Sequence, residues 1–298
     1  MKVENLITGS HPYRPDLLTR NVLNEIYSNS WGESYGNVEF SETPVPHAEY
    51  VAKITANDAF RAGNRRPATG LVIATWNRPH YLERTLASLA ASDLDDTIVV
   101  IVDDASDDQH AVALLEGFDL SVPLLKLYKN KHCNMHISLD IGWCMLMEYG
   151  CSYLVNLDAD AIVHPQWLAY LKRLFASLPF DRDHILLSGF SKANGPSIIE
   201  EYDCYRVRYK MGGINYFFTP EFYRQMRVLM FNANWDSHIQ YFCGYRLSKR
   251  YKMISSKPSV VQHIGKNGFN AGGPAAFDYA EDFDQDRRLD MSCLQNIS

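Results

Sequence analysis

Apolar residues come in four short runs through the middle of the chain, separated by longer stretches in which they recur every three or four positions. The runs are 70–75 (GLVIAT), 97–102 (TIVVIV), 124–128 (LLKLY) and 153–163 (YLVNLDADAIV). Runs of this length, bounded by polar turns, predict buried strands. The stretches between them predict helices. One opens at Pro79 and carries Leu82, Leu86 and Leu89 on one face. A short one covers 107–116. A third ends near Tyr149, with Ile137, Ile141, Cys144 and Met145 on one face and Gly150 as its stop. Such alternation implies an α/β fold with a mostly parallel sheet covered on both sides.

Residues 1–66 differ in texture. Leu17, Leu18, Val22, Leu23 and Ile26 predict a helix near 15–28, and a second is expected near 47–61. The Gly-, Ser- and Pro-rich segment between them reads as loop. The expected organisation is a helical N-terminal extension over 1–66, a main domain over 67–265 with halves 67–163 and 164–265, and a C-terminal lid or tail over 266–298. The charged FDYAEDFDQDRRLD near the C-terminus reads as a surface helix or tail.

Polar residues gather where the strands end. TWNRP follows the first strand, DDASDD the second, and DAD closes the fourth. In open α/β sheets, ligands bind beyond these carboxyl ends. Asp158 and Asp160 lie two apart, so on a continuous strand they share a face. Adjacent carboxylates repel, and burying them unpaired is costly. A hard divalent cation, Mn²⁺ or Mg²⁺, would compensate; the alternative is a polar strand end whose aspartates cap a turn. Neither GxGxxG nor GxxxxGK[ST] occurs. A nucleotide bound here therefore needs another counter-charge, which a metal on Asp160 would supply.

Composition narrows the classes. The 298 residues are 46% hydrophobic, enough for a substantial core, and the net charge of −6 argues against general nucleic-acid binding. No stretch approaches the roughly 20 apolar residues of a membrane span, and the first residues lack the apolar core of a signal peptide. Peripheral membrane contact stays open. The six cysteines form no CxxC pair and are expected to be reduced and mostly buried, so a cytoplasmic location is the default expectation.

The segments GLVIATWNRPHYLERTLASL, IVVIVDDASDD and YLVNLDADAIVHPQWL, in this order and spacing, resemble a GT-A-type glycosyltransferase, nearest to family 2. The resemblance covers about residues 68–265. It implies a nucleotide-sugar donor, most often a UDP-sugar, with Mn²⁺ or Mg²⁺, and hexosyl transfer to a saccharide or other hydroxyl acceptor. By position, Trp76 stands where an aromatic flanks the donor base, with Asn77 and Arg78 beside it. The alternative reading of Trp76 is a core residue. Asp104 matches the aspartate that binds the base, and Asp103 shares that role. Asp107 or Asp108 reads as a helix N-cap. Asp160 matches the metal ligand that bridges the diphosphate, and Asp158 would hold the ribose or join the metal. One departure is NMHISLDIGW before the fourth strand, where Leu139 and Asp140 take slots that are polar in another way in the family.

The second half is expected to hold the acceptor and the base. Gly212 and Gly213 permit close backbone approach, and the resemblance places this pair beside the donor sugar. Tyr216, Phe217 and Phe218 are either an apolar platform for a sugar or core residues of a strand. A helix is expected after Thr219, over 220–230, and another within 232–251, with Asp236 at its start as general base or as N-cap. His263, in a VxHxG-like segment, is the third candidate metal ligand, and the glycines after it suggest a lid. An inverting, metal-dependent glycosyltransferase is the reading these residues favour. A nucleotidyltransferase of related fold and a non-catalytic nucleotide-sugar or glycan-binding protein are the alternatives.

Overall fold

The computed structural model describes residues 47–63, 67–192, 197–227, 229, 235–243, 250–266, 278–295 and 297. The helix expected near 15–28 and most of the glycine-rich segment after His263 lie outside these. Twelve strands are described: β1 (Val51–Ala56), β2 (Thr69–Thr75), β3 (Thr97–Asp103), β4 (Leu124–Lys129), β5 (Tyr153–Asn156), β6 (Ala161–Val163), β7 (Ile185–Ser188), β8 (Ile198–Glu201), β9 (Tyr205–Arg208), β10 (Phe217–Phe218), β11 (Lys252–Ser256) and β12 (Val261–His263). The described helices are α1 (Asp58–Ala62), α2 (Pro79–Ala90), α3 (Gln109–Gly117), α4 (Met135–Tyr149), α5 (Trp167–Ser177), α6 (Pro220–Met226) and α7 (Trp235–Tyr241).

Among the described residues the main sheet runs in the order β1-β4-β3-β2-β5-β10-β7-β11-β9-β8. Its β4-β3-β2-β5 part is parallel. Both β2 and β3 are buried along their whole length, which is why they read as unbroken apolar runs. Side-chain alternation divides β2 between two cores. Val72 packs with Leu139, Trp143 and Leu146 of α4, while Leu71 and Ile73 pack with Leu82 and Leu86 of α2 and Trp167 of α5. Each such aliphatic side chain contributes roughly 1.5–3 kcal/mol by burial.

Three expectations need correction, and one open alternative is settled. The helix expected near 47–61 is instead a short 3-10 turn, His47–Glu49, then β1 and α1. β1 pairs antiparallel with β4. Val51, Ile54 and Thr55 are β-branched and meet an edge that β4 would otherwise leave unpaired. Asn57 then ends the strand by accepting from Phe60 N and caps α1.

The run 153–163 is not one strand. β5 stops at Asn156, and β6 belongs to a separate two-stranded sheet with β12. Between them Ala161 N donates to Asp158 O at 3.1 Å, closing a turn. Asp158 and Asp160 therefore approach each other through a turn, not through strand alternation.

Tyr216, Phe217 and Phe218 are core residues, Tyr216 being 0% exposed. β10 lies between β5 and β7, both faces covered, so these rings offer no platform to a ligand.

The charged C-terminal segment is not a surface helix. Residues 278–292 run without helix along the core before a 3-10 turn at Cys293–Gln295. Ala280, Leu289 and Leu294 are buried, and Gln262 exchanges two hydrogen bonds with Ala280, each 2.9 Å. Sparse apolar anchors under a charged exterior explain why the composition suggested a tail. The six cysteines are free, four of them buried, and no described helix is long and apolar enough to cross a membrane.

Candidate active site

β2 pairs in parallel with both β3 and β5, so the carboxyl ends of the three strands lie side by side. After β2, Asn77 and Arg78 both adopt left-handed backbone conformations, with φ of 53° and 57°. Non-glycine residues seldom do so, and here hydrogen bonds hold them. Asn77 N donates to Ser106 Oγ at 2.8 Å, and Asn77 Oδ1 accepts from Asp107 N and Asp108 N at 3.0 and 2.9 Å. This lock ties the end of β2 to the loop after β3. In that loop Asp108 caps α3, accepting from His110 N and Ala111 N, the N-cap role expected of Asp107 or Asp108.

Asp103 and Asp104 are both buried but differently engaged. Asp103 accepts from Ser106 Oγ at 2.5 Å, and burial raises its pKa. Asp104 accepts from Lys129 Nζ at 2.5 Å and from Cys133 N at 3.0 Å. His132 Nδ1 lies 2.8 Å from its other oxygen. Trp76 is 41% exposed, so it is not a core residue. Its ring lies 4.2 Å from that of His132, tilted by 30°. The exposed indole, the imidazole and Asp104 thus form one polar-aromatic corner. A flat base can stack on such a surface for about 1–3 kcal/mol.

The second corner is the turn after β5. Asp158 is half-buried overall, yet its Oδ1 is shielded from solvent with no hydrogen-bond partner among the described residues. Burial, then the nearby Asp160 and Asp236 charges, push its pKa up. Asp160 has a different fate. Burial would raise it as well, but His263 and Arg78 outweigh that and hold it below the usual carboxylate range. Arg78 Nη1 lies 2.8 Å from Asp160 Oδ2, and His263 Nε2 lies 3.4 Å from Oδ1. The β6–β12 pairing sets this up by placing His263 opposite Ala161. Gly265 clears the space: a Cβ there would sit 2.0 Å from Asp160 Oδ2.

Asp236 lies in the first turn of α7, and its Oδ1 accepts from Ser237 N at 2.7 Å. Burial raises its pKa despite backbone donors that lower it. Gly213 lets α7 come this close, since a Cβ would lie 3.0 Å from that of Asp236 and 3.1 Å from the Trp235 ring. Gly212 is less constrained, its nearest neighbour being Ile214 at 3.7 Å. Asn156 fastens the segment to β5, donating from Nδ2 to Gly213 O at 2.8 Å and accepting from Tyr216 N at 2.9 Å.

The structure therefore gathers Asp158, Asp160, His263 and Arg78 at one corner, with Asp236 close enough to perturb Asp158. Trp76, Asp104 and Asp103 form the other. Three participants were not anticipated from the sequence: Lys129, His132 and Gly265. Lys129 was the one with a visible signal, a charged residue closing the apolar run LLKLYK.

The donor set suits a hard dication. It offers a shielded carboxylate oxygen with no hydrogen-bond partner among the described residues, a second carboxylate held ionised, and an imidazole nitrogen beside it. The side chains at the turn can bind anionic oxygens through a cation and through Arg78. The half-buried Asp236 can take up a proton.

A family model described as Glycosyl transferase family 2 matches residues 71–235. No curated protein matches the chain. Among solved structures, the mannosyltransferase PcManGT from Pyrobaculum calidifontis, in complex with GDP-Man and Mn²⁺, is 20% identical, with a TM-score of 0.48 over 64% of this chain and 55% of that one. GalNAc-T7 with UDP, GalNAc and Mn²⁺ is 16% identical, with a TM-score of 0.48 over 70% and 46%. S. aureus TarS 1-349 in complex with UDP-GlcNAc is 15% identical, with a TM-score of 0.44 over 62% and 55%. The chain spans about half the length of these proteins.

Proposed function

Since the chain belongs to glycosyl transferase family 2, we propose that it transfers a sugar from a nucleotide-sugar donor to a hydroxyl acceptor, with inversion and with help from a divalent cation. Its α/β sheet, parallel at the centre and flanked by helices, is the GT-A architecture of that family. The observation that carries the proposal is the turn after β5, where a shielded Asp158 oxygen with no hydrogen-bond partner among the described residues adjoins an Asp160 held ionised by Arg78 and His263.

In this reading the nucleoside lies across the first corner. Trp76 stacks on the base and Asp104, fixed by Lys129, accepts from it, while Asp103 braces the loop through Ser106. Asn77 and Arg78 stand at the phosphate side. A divalent cation, Mn²⁺ or Mg²⁺, held by Asp160 with Asp158 and His263, would supply charge neutralisation for the departing diphosphate. The sugar would lie against the backbone at Gly212 and Gly213, beside Asp236.

Asp236 acts as general base. Its carboxylate takes the acceptor hydroxyl proton while the acceptor oxygen bonds to the anomeric carbon. The bond from that carbon to the diphosphate oxygen breaks on the opposite face, and the electron pair leaves with the diphosphate. The raised pKa of Asp236 makes it a stronger base than an exposed aspartate. A UDP-sugar is the donor and a glycan or glycoside the acceptor that the family's habit favours, with hexosyl transfer as the reaction.

The test is release of the nucleotide, a nucleoside diphosphate from UDP-, GDP- and dTDP-sugars and CMP from CMP-sugars, with Mn²⁺ and a series of saccharide acceptors. One donor is expected to be consumed by the parent enzyme. Asp236→Asn is expected to bind that donor equally well but to turn it over about 10²–10⁴-fold more slowly. Equal turnover by Asp236→Asn would remove the base, and a folded parent that consumes no donor would remove the transferase reading.

A further inference from the structure

The geometry points to Arg78 as a built-in counter-cation of Asp160 that couples divalent-cation binding to diphosphate binding; this rests on reading these strand ends as a nucleotide-sugar site. Three independent features aim Arg78 at Asp160. The first is its backbone. Asn77 and Arg78 are consecutive left-handed residues, an arrangement that costs conformational energy and persists only where surrounding structure enforces it. The bonds from Asn77 to Ser106, Asp107 and Asp108 enforce it. The second is the guanidinium itself, 2.8 Å from Asp160 Oδ2 and lying over the Tyr81 ring at 4.6 Å. The third is Gly265, where a Cβ would come within 2.9 Å of Arg78 Nη2 and within 2.0 Å of Asp160 Oδ2. Strain before the residue, a ring beneath it and a cleared position above it all serve one ion pair.

That pair gives the two Asp160 oxygens different neighbours. Oδ2 faces Arg78 and Oδ1 faces His263. A dication at Asp160 therefore sits beside a fixed positive charge, and the neighbouring Asp158 only partly offsets the two together. Added alone, the cation is held less tightly than the two carboxylates would hold it without Arg78. Added with a diphosphate, it shares with Arg78 an anion that both attract, and the guanidinium fork suits phosphate oxygens. Arg78 thus weakens the binding of cation alone and strengthens the binding of cation plus nucleotide. By linkage each ligand must then tighten the other by the same factor.

The experiment measures Mn²⁺ binding directly, by the loss of the free-ion electron paramagnetic resonance signal, with and without UDP and, in parallel, GDP. The proteins are the parent, Arg78→Ala, Arg78→Gln, Arg78→Lys and Asp160→Ala, each checked for native circular dichroism. In the parent, the preferred nucleotide is expected to tighten Mn²⁺ by about tenfold or more. In Arg78→Ala, and in the length-preserving Arg78→Gln, Mn²⁺ alone should bind more tightly and the nucleotide effect should shrink severalfold. Arg78→Lys should keep most of the coupling. Unchanged coupling in both neutral variants, with Mn²⁺ binding lost in Asp160→Ala, overturns the role of Arg78 and leaves the site reading intact. A parent that binds no Mn²⁺ with either nucleotide, nor with dTDP or CMP, overturns both.

Discussion

Lys129 Nζ donates to Asp104 Oδ1 at 2.5 Å, and both side chains are buried. The pair joins the end of β4 to the end of β3, so the residue proposed to read the donor base is fixed from beneath. Removing one member of such a pair leaves an uncompensated charge in the protein. Lys129→Met is therefore expected to lower stability by about 3–5 kcal/mol in urea unfolding. In variants that remain folded it should weaken nucleotide binding more than Mn²⁺ binding.

Gly265 gives a sharper probe of the second corner. Alanine there puts a methyl 2.0 Å from Asp160 Oδ2, so either the carboxylate or the β12 end must move. Overpacking of this kind costs about 1–3 kcal/mol. Gly265→Ala should fold with a reduced Tm and lose Mn²⁺ binding, while nucleotide still stacks near Trp76 with the weaker affinity expected without Mn²⁺. Quenching of Trp76 fluorescence by nucleotide would monitor the latter.

A second buried ion network lies behind the site. Asp140 of α4 accepts from Arg227 Nε at 2.8 Å and Nη2 at 3.0 Å, lies 2.6 Å from His47 Nε2, and accepts from the Tyr223 hydroxyl. These partners outweigh burial and hold its pKa well below the usual range. Arg227→Leu alone should destabilise by about 3–5 kcal/mol, whereas Arg227→Leu with Asp140→Leu should recover much of that loss. Chemical unfolding of the single and double variants measures it.

Two buried histidines give a pH signature. Burial lowers His136 and His238 from 6.5 to about 4. Between pH 6.5 and about 4 the unfolded chain therefore binds protons at these positions that the native protein does not. By linkage, stability falls as pH drops through this window and is fully present above it. Tm measured from pH 7 to pH 4 should decline, and His238→Gln should flatten the decline.

The parts legible in the sequence are those governed by local pattern. β2 and β3 are buried on both faces, so their continuous apolar runs were diagnostic, as were Pro79 at the start of α2 and Asp108 as the cap of α3. Trp76, Asp104, Asp160 and His263 were marked by motif; the structure places the first three just beyond the ends of the neighbouring strands β2, β3 and β5, and His263 on β12 beside Asp160. What was not legible depends on distant partners. β1 exists because β4 offers an edge; its short apolar sequence suits a helix or a strand. Arg227 and Asp140 are 87 residues apart, and nothing near either one announces the other. The turn at Asp158 was hidden because Ala161, Ile162 and Val163 continue the apolar texture of β5 while pairing with β12 instead. The aromatic segment 216–218 could not be assigned to core or surface until its neighbours β5 and β7 were known.

The central claim is that the turn after β5 and the corner at Trp76 make a single nucleotide-sugar site. Isothermal titration of UDP-, GDP-, dTDP- and CMP-sugars, with and without Mn²⁺, into the parent and Asp160→Ala tests it most directly. The account predicts that one donor binds the parent in a Mn²⁺-dependent manner and that Asp160→Ala abolishes this. A folded parent that binds none of the donors with Mn²⁺ present, or an Asp160→Ala variant that binds as the parent does, would contradict it.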